Sequence, residues 1–115
     1  MARLKEGYVQ VYTGNGKGKT TASLGLAMRA LGQNWNVLLI MFTKGGNNYG
    51  ELNSFRNLSD KIKKNMTIKQ AGLDRIVYTS NMTDEDKKVI NDGWIIAKQA
   101  IKNDEYKLVI LDEIN

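Results

Sequence analysis

Residues 9–32, VQVYTGNGKGKTTASLGLAMRALG, crowd glycine and lysine into one turn between an apolar run and a helical pattern. Glycine loses more conformational freedom on folding than any other residue, so a cluster of it needs a physical reason. Before the turn, YVQVYT at 8–13 alternates β-branched and aromatic residues with polar ones and reads as a strand ending at the glycines. After it, Leu24, Ala27 and Leu31 fall at i, i+3 and i+7, which predicts a helix from Lys19 to about Leu31, with Gly32 placed to stop it. Either the turn is merely awkward, or something must come very close to the backbone there.

The same alternation continues. NVLLIMF at 36–42 is nearly all apolar, the pattern of a strand buried on both faces of a parallel sheet. A loop, TKGGNNYG, leads to a weaker helix from about Glu51 to Lys63. MTIKQAG then reads as a short strand and RIVYTS as an irregular or extended segment. Thr83 with Asp86 forms a helix cap, and Val89, Ile90, Gly93, Trp94, Ala97 and Ile101 share a helical stripe that places Trp94 in the core. YKLVILDE at 106–113 is a further buried strand ending in two carboxylates. Strands alternating with helices predict an α/β fold, a parallel sheet flanked by helices in three layers. The 115 residues make one domain, 1–115.

Composition narrows the chemistry. The chain has no cysteine and no histidine, which excludes disulfides, thiolate metal sites and every Ser-His or Cys-His nucleophile. No apolar stretch approaches the roughly 20 residues of a membrane span, and the N-terminus lacks the apolar core of a signal peptide. A cytoplasmic protein without a membrane partner is expected. A net charge of +5 suits anionic ligands. Most lysines alternate with acids or apolar residues at helical spacing, however, and read as solvated helix faces. Without a base-stacking aromatic series or a continuous basic stripe, nucleic acid is not the expected partner.

Two chemistries use glycines between a strand and a helix. The dinucleotide fingerprint G-x-G-x-x-G fails here, because Gly14, Gly16 and Gly18 put the third glycine one place early and the next strand ends MFTKGG without an acid. The phosphate-binding loop G-x-x-x-x-G-K-[ST] has its right half in Gly18-Lys19-Thr20, with Thr13 where its first glycine belongs and Gly14 just after. The physical requirements survive that shift. Small residues let successive N–H groups form an anion nest, and the following helix adds its positive end. Lys19 supplies a point charge for phosphate oxygens, and the Thr20 hydroxyl can ligate magnesium. Asp112 and Glu113 end a buried strand, where open α/β sheets place their ligands, so a carboxylate there can hold the same ion directly or through water. Together these predict a nucleotide·Mg²⁺ site of the P-loop type.

YTGNGKGKTTASLGLAMRALGQ, VLLIMFTKG, GE at 50–51 and the terminal LVILDEIN closely resemble the ATP:corrinoid adenosyltransferases of bacterial cobalamin synthesis, from about residue 7 to 115. The resemblance implies a transfer: a cobalt(I) corrinoid attacks the 5′ carbon of ATP, which lies reversed relative to ordinary P-loop NTPases, and triphosphate leaves. It assigns the triphosphate to Gly14, Asn15, Gly16, Lys17, Gly18, Lys19, Thr20 and Thr21, with Lys19 and Thr20 catalytic, and magnesium to Thr20 and Glu113 with Asp112 behind them. ATP, Mg²⁺ and the corrinoid are then the small molecules required, with an electron-donor reductase as partner. Some family members carry a Phe-x-Trp pair where this chain has Ile76 and Tyr78, and an amide where it has Met41. They also have a longer N-terminal extension and continue past LDEIN. The resemblance thus implies a chain shortened at its C-terminal end, whose last strand would keep a raw edge. Such a chain is expected to form a homodimer, to be marginally stable or to be inactive.

Other residues admit two readings. Tyr49 and Tyr78 lie in or near predicted loops, open to a flat ligand or to solvent. Lys44 and Glu51 flank the glycine-rich loop, as ribose or corrinoid contacts or as solvated charges, and Arg29 belongs on the solvent face of its helix. For the whole chain, the alternatives to adenosyl transfer are a P-loop ATPase and a nucleotide-binding fragment without turnover.

Overall fold

A computed structural model describes residues 18–42, 50–72 and 81–112. The elements run α1 (Lys19–Gly32), β1 (Val37–Phe42), α2 (Gly50–Arg56), α3 (Asp60–Lys63), β2 (Met66–Ala71), α4 (Asp84–Asn103) and β3 (Leu108–Asp112). The three strands are parallel in the order β2-β1-β3, with Val37 opposite both Met66 and Leu108 and Met41 opposite both Gln70 and Asp112. The chain steps from β1 outward to β2, then back past β1 to β3. Right-handed crossovers in opposite directions put their helices on opposite faces. One face carries α1, α2 and α3 over Val37, Leu39, Met41 and Ile110; the other carries α4 over Leu38, Ile40 and Phe42. The expected three-layer α/β sandwich with a parallel sheet is what these elements build. The strand expected at 8–13 and the segment RIVYTS lie outside the described residues.

Every residue of β1 is buried, as its unbroken apolar run requires of a strand covered on both sides. The helix termini show where local chemistry decides. At the end of α1, Asn34 takes the left-handed conformation (φ 62°), its N–H donating to Leu31 O at 3.0 Å and that of Trp35 to Ala30 O at 3.1 Å. This is a Schellman motif with asparagine at the left-handed position. Gly32, expected to stop the helix, is instead its last residue. At the start of α4, the Thr83 side chain accepts from Asp86 N, while Asp86 Oδ2 accepts from Thr83 N at 2.9 Å. The predicted cap is thus a complete capping box.

Two further expectations are corrected. The helix drawn from Glu51 to Lys63 is two helices, α2 and α3, broken at 57–59. Asn57 Nδ2 donates to Asn53 O at 2.8 Å and so takes the carbonyl that its own N–H would use in a continuous helix. Leu58 then packs against the core, and Ser59 enters the next helix in extended conformation.

Trp94, expected in the core, is 40% exposed, and Ile101 is 61% exposed. The stripe of α4 that meets the sheet is instead centred on Gly93, Ala97 and Ala100. A Cβ on Gly93 would fall inside the van der Waals envelope of Ala71 Cβ and lie 3.3 Å from Phe42 Cε1. At that separation only small residues fit against the sheet, so large ones move to the flanks. Trp94 covers the edge of the contact, its ring centroid 6.5 Å from that of Phe42.

Candidate functional site

The site begins where α1 begins. Gly18, its N-cap, has φ 108° and ψ −3°, a conformation that side-chain-bearing residues rarely adopt. Its carbonyl accepts from Ala22 N at 2.9 Å and starts the helix. Glycine brings no side chain to the N–H groups of the first turn, and that turn, Lys19-Thr20-Thr21, contains no acid. The positive end of α1 is therefore uncompensated by its own first-turn side chains, with the Lys19 charge beside it. Lys19 and Thr21 are exposed and Thr20 is half-buried. Ser23 Oγ donates to Thr20 O at 2.9 Å.

Facing this turn is the carboxyl end of β3. Ile110 packs toward α1, and strand alternation puts Asp112, two residues on, on the same face. Thr20 Oγ1 donates to Asp112 Oδ1 at 2.8 Å, joining residues 92 positions apart. Asp112 is only 7% exposed. A carboxylate this buried requires partners, and the hydroxyl is one of them. A threonine hydroxyl that donates its proton keeps lone pairs for a cation, and the carboxylate keeps acceptor capacity of its own. The pair is a set of hard oxygen donors suited to magnesium, which commonly takes one or two carboxylates and completes its octahedron with water and phosphate.

Of the residues singled out in the sequence, Gly18, Lys19, Thr20, Thr21 and Asp112 are brought to one place, the carboxyl end of the sheet on the α1 face. Gly14, Asn15, Gly16, Lys17 and Glu113 lie outside the described residues, as do Lys44, Tyr49, Ile76 and Tyr78. Glu51 is half-buried in the first turn of α2, and Arg29 is exposed, as expected. The sequence did not disclose that Met41 stands directly beside Asp112. The parity of VLLIMF and LVILD shows which residues share a face, but register between two distant strands is written in neither. No described helix is long and apolar enough to cross a membrane.

Comparison with known proteins adds an independent line. The family model for ATP:corrinoid adenosyltransferase BtuR/CobO/CobP matches residues 5–115. A corrinoid adenosyltransferase of Escherichia coli K12 is 32% identical over 98% of this chain and 54% of its own length. One from Pseudomonas aeruginosa is 29% identical over 99% of this chain and 54% of its own. An uncharacterized Nostoc protein is 36% identical over 93% of this chain and 30% of its own. The chain thus spans about half the length of the corrinoid adenosyltransferases it matches.

Proposed function

The chain belongs to the ATP:corrinoid adenosyltransferase family, and from that premise we propose that it transfers the 5′-deoxyadenosyl group of ATP to the cobalt of a reduced corrinoid, releasing triphosphate. The cobalt(I) electron pair attacks C5′, the C5′–O bond breaks, and the triphosphate departs with that bond's electrons. No protein nucleophile or general base is required, which accords with a chain that has neither histidine nor cysteine. The observation that carries the reading is the Thr20–Asp112 hydrogen bond, which ties the start of α1 to the end of β3. It joins the phosphate-binding turn to an acidic strand end.

In this reading residues 14–18 and the first turn of α1 hold the triphosphate, and Lys19 neutralises the charge that grows on the departing oxygen. Thr20 and Glu113, with Asp112 as the further carboxylate, would hold magnesium. The ion, when bound, supplies further positive charge to the leaving phosphates. Asp112 fixes the direction of the Thr20 hydroxyl, and the buried wall around it keeps that hydrogen bond out of competition with water. An electron donor that keeps cobalt reduced and a second copy of the chain complete the proposal as partners.

A single-turnover reaction with ATP, Mg²⁺ and chemically reduced cob(I)alamin tests it. Adenosylcobalamin, followed by absorbance, together with triphosphate, followed by chromatography, is the expected result. Orthophosphate without a cobalt–carbon product would make the chain a hydrolase instead. Asp112→Asn is expected to raise the Mg²⁺ concentration needed for half-maximal turnover by about tenfold or more, because the amide carries no negative charge to attract the ion.

A further inference from the structure

We infer that a cleft between α4 and the edge of the sheet, remote from the proposed nucleotide site, is a second small-molecule site that takes a free aliphatic amino acid the size of valine. Its volume is about 130 Å³, and it is partly open to solvent. Buried Leu38 and Ala100 and half-buried Tyr106 contribute to its lining. Leu38 is the second residue of β1, so the cleft lies toward the amino end of the sheet, on the α4 face. Thr20 and Asp112 meet at the carboxyl end, on the other face. Ile96, Gln99 and Asn103 fall at i, i+3 and i+7 and form the flank of α4 along the cleft. Lys69 supplies the wall from β2. It stands two residues before Ala71, which meets Gly93 of α4, and so leaves β2 on the same face. Beyond α4 the left-handed Asp104 (φ 56°) turns the chain, and Glu105 joins the lining.

Among the described residues, the side chains of Lys69, Gln99, Asn103 and Glu105 have no hydrogen-bond or ion-pair partner. Lys69 and Glu105 therefore bring opposite charges to one cleft without pairing with each other. A ligand with a single charge would be attracted by one and repelled by the other, whereas a zwitterion gives each a partner. The carboxylate of an amino acid accepts from Lys69 Nζ and its ammonium donates to Glu105, while the amides of Gln99 and Asn103 can donate or accept beside them. The apolar lining then takes the side chain out of water. Size narrows the ligand further. A cavity of about 150 Å³ holds benzene, so the 130 Å³ here admits an aliphatic side chain with part of its headgroup, and no aromatic amino acid.

The test is titration of the chain with L-valine, read by amide chemical shifts in NMR, alongside isovalerate, which lacks the ammonium, and isobutylamine, which lacks the carboxylate. Saturable shifts are expected at Leu38, Lys69, Ala100 and Tyr106, with half-saturation at about 1 mM, the scale for so small a ligand in a partly open site. Isovalerate and isobutylamine are each expected to bind about tenfold more weakly, the loss of one charge-assisted contact. Lys69→Gln and Glu105→Gln, both at exposed positions, should melt as the wild type does and each raise the half-saturation for valine about tenfold. Shifts that do not saturate by about 10 mM, or that do not centre on the cleft, would overturn the inference. So would equal binding of valine and isovalerate, since the cleft would then not read a zwitterion. Unchanged valine binding in both variants would do the same, and would leave Lys69 as a charge that guards an edge strand. Each outcome stands apart from the adenosyl-transfer reading, whose residues lie on the other face.

Discussion

The two faces of the sheet are built from alternate residues of the same strands, yet they end differently. On the α1 face the rows are apolar until the carboxyl end, where Asp112 meets Thr20 at a helix start capped by glycine. On the α4 face, Leu38, Ile40 and Phe42 are apolar throughout, and α4 presses onto Ala71 and Phe42 through Gly93. The N-terminus of α1 begins at glycine, whereas that of α4 is closed by Thr83 and by Asp86, itself 1% exposed. The first turn of α1 has no side-chain cap, whereas that of α4 is capped by its own residues. Substitutions on the first face should therefore change chemistry, and those on the second should change stability.

The largest separation is expected from Lys19→Ala. Adenosyl transfer should fall by about 10²–10³, the usual loss when one group that stabilises developing negative charge is removed. The urea midpoint should barely move, because Lys19 is exposed. A fall of less than about threefold would take Lys19 out of the reaction. The reverse pattern is expected at Gly93→Ala. The added methyl runs into a Cβ fixed to β2, and overpacking of this kind costs about 1–3 kcal/mol in chemical denaturation. ATP affinity per folded molecule should stay at the wild-type value; if it falls in step with stability, the two faces are not separable.

Thr83→Ala removes the hydroxyl that accepts from Asp86 N and donates to Asp86 Oδ2 at 2.9 Å. A loss of about 1 kcal/mol is expected by urea titration, again without change in ATP affinity. Asn34→Gly should have the smallest effect and the opposite sign. Removing the Cβ from a left-handed residue relieves strain, so a gain of up to about 1 kcal/mol is expected. A loss instead would mean that the asparagine side chain contributes more to the turn than the strain subtracts.

The sequence by itself determined what depends on neighbours along the chain. Thr83 and Asp86 had to cap α4, and VLLIMF had to be a doubly covered strand. Each follows from hydrogen bonds or periodicities spanning a few residues. Local rules ended α1 at Gly32 without showing that Asn34 supplies the left-handed residue beyond it, and missed the break at 57–59, where the Asn57 amide competes for a backbone carbonyl. Tertiary structure alone decided the rest. Trp94 is half out of the core because the distance between α4 and the sheet admits only Gly93, Ala97 and Ala100. Thr20 meets Asp112, and Met41 stands beside it, because strand order and register bring the ends of distant segments to one edge. That alignment is a property of the packed sheet, since each strand's own pattern states which face a residue takes and says nothing of which residue lies alongside it.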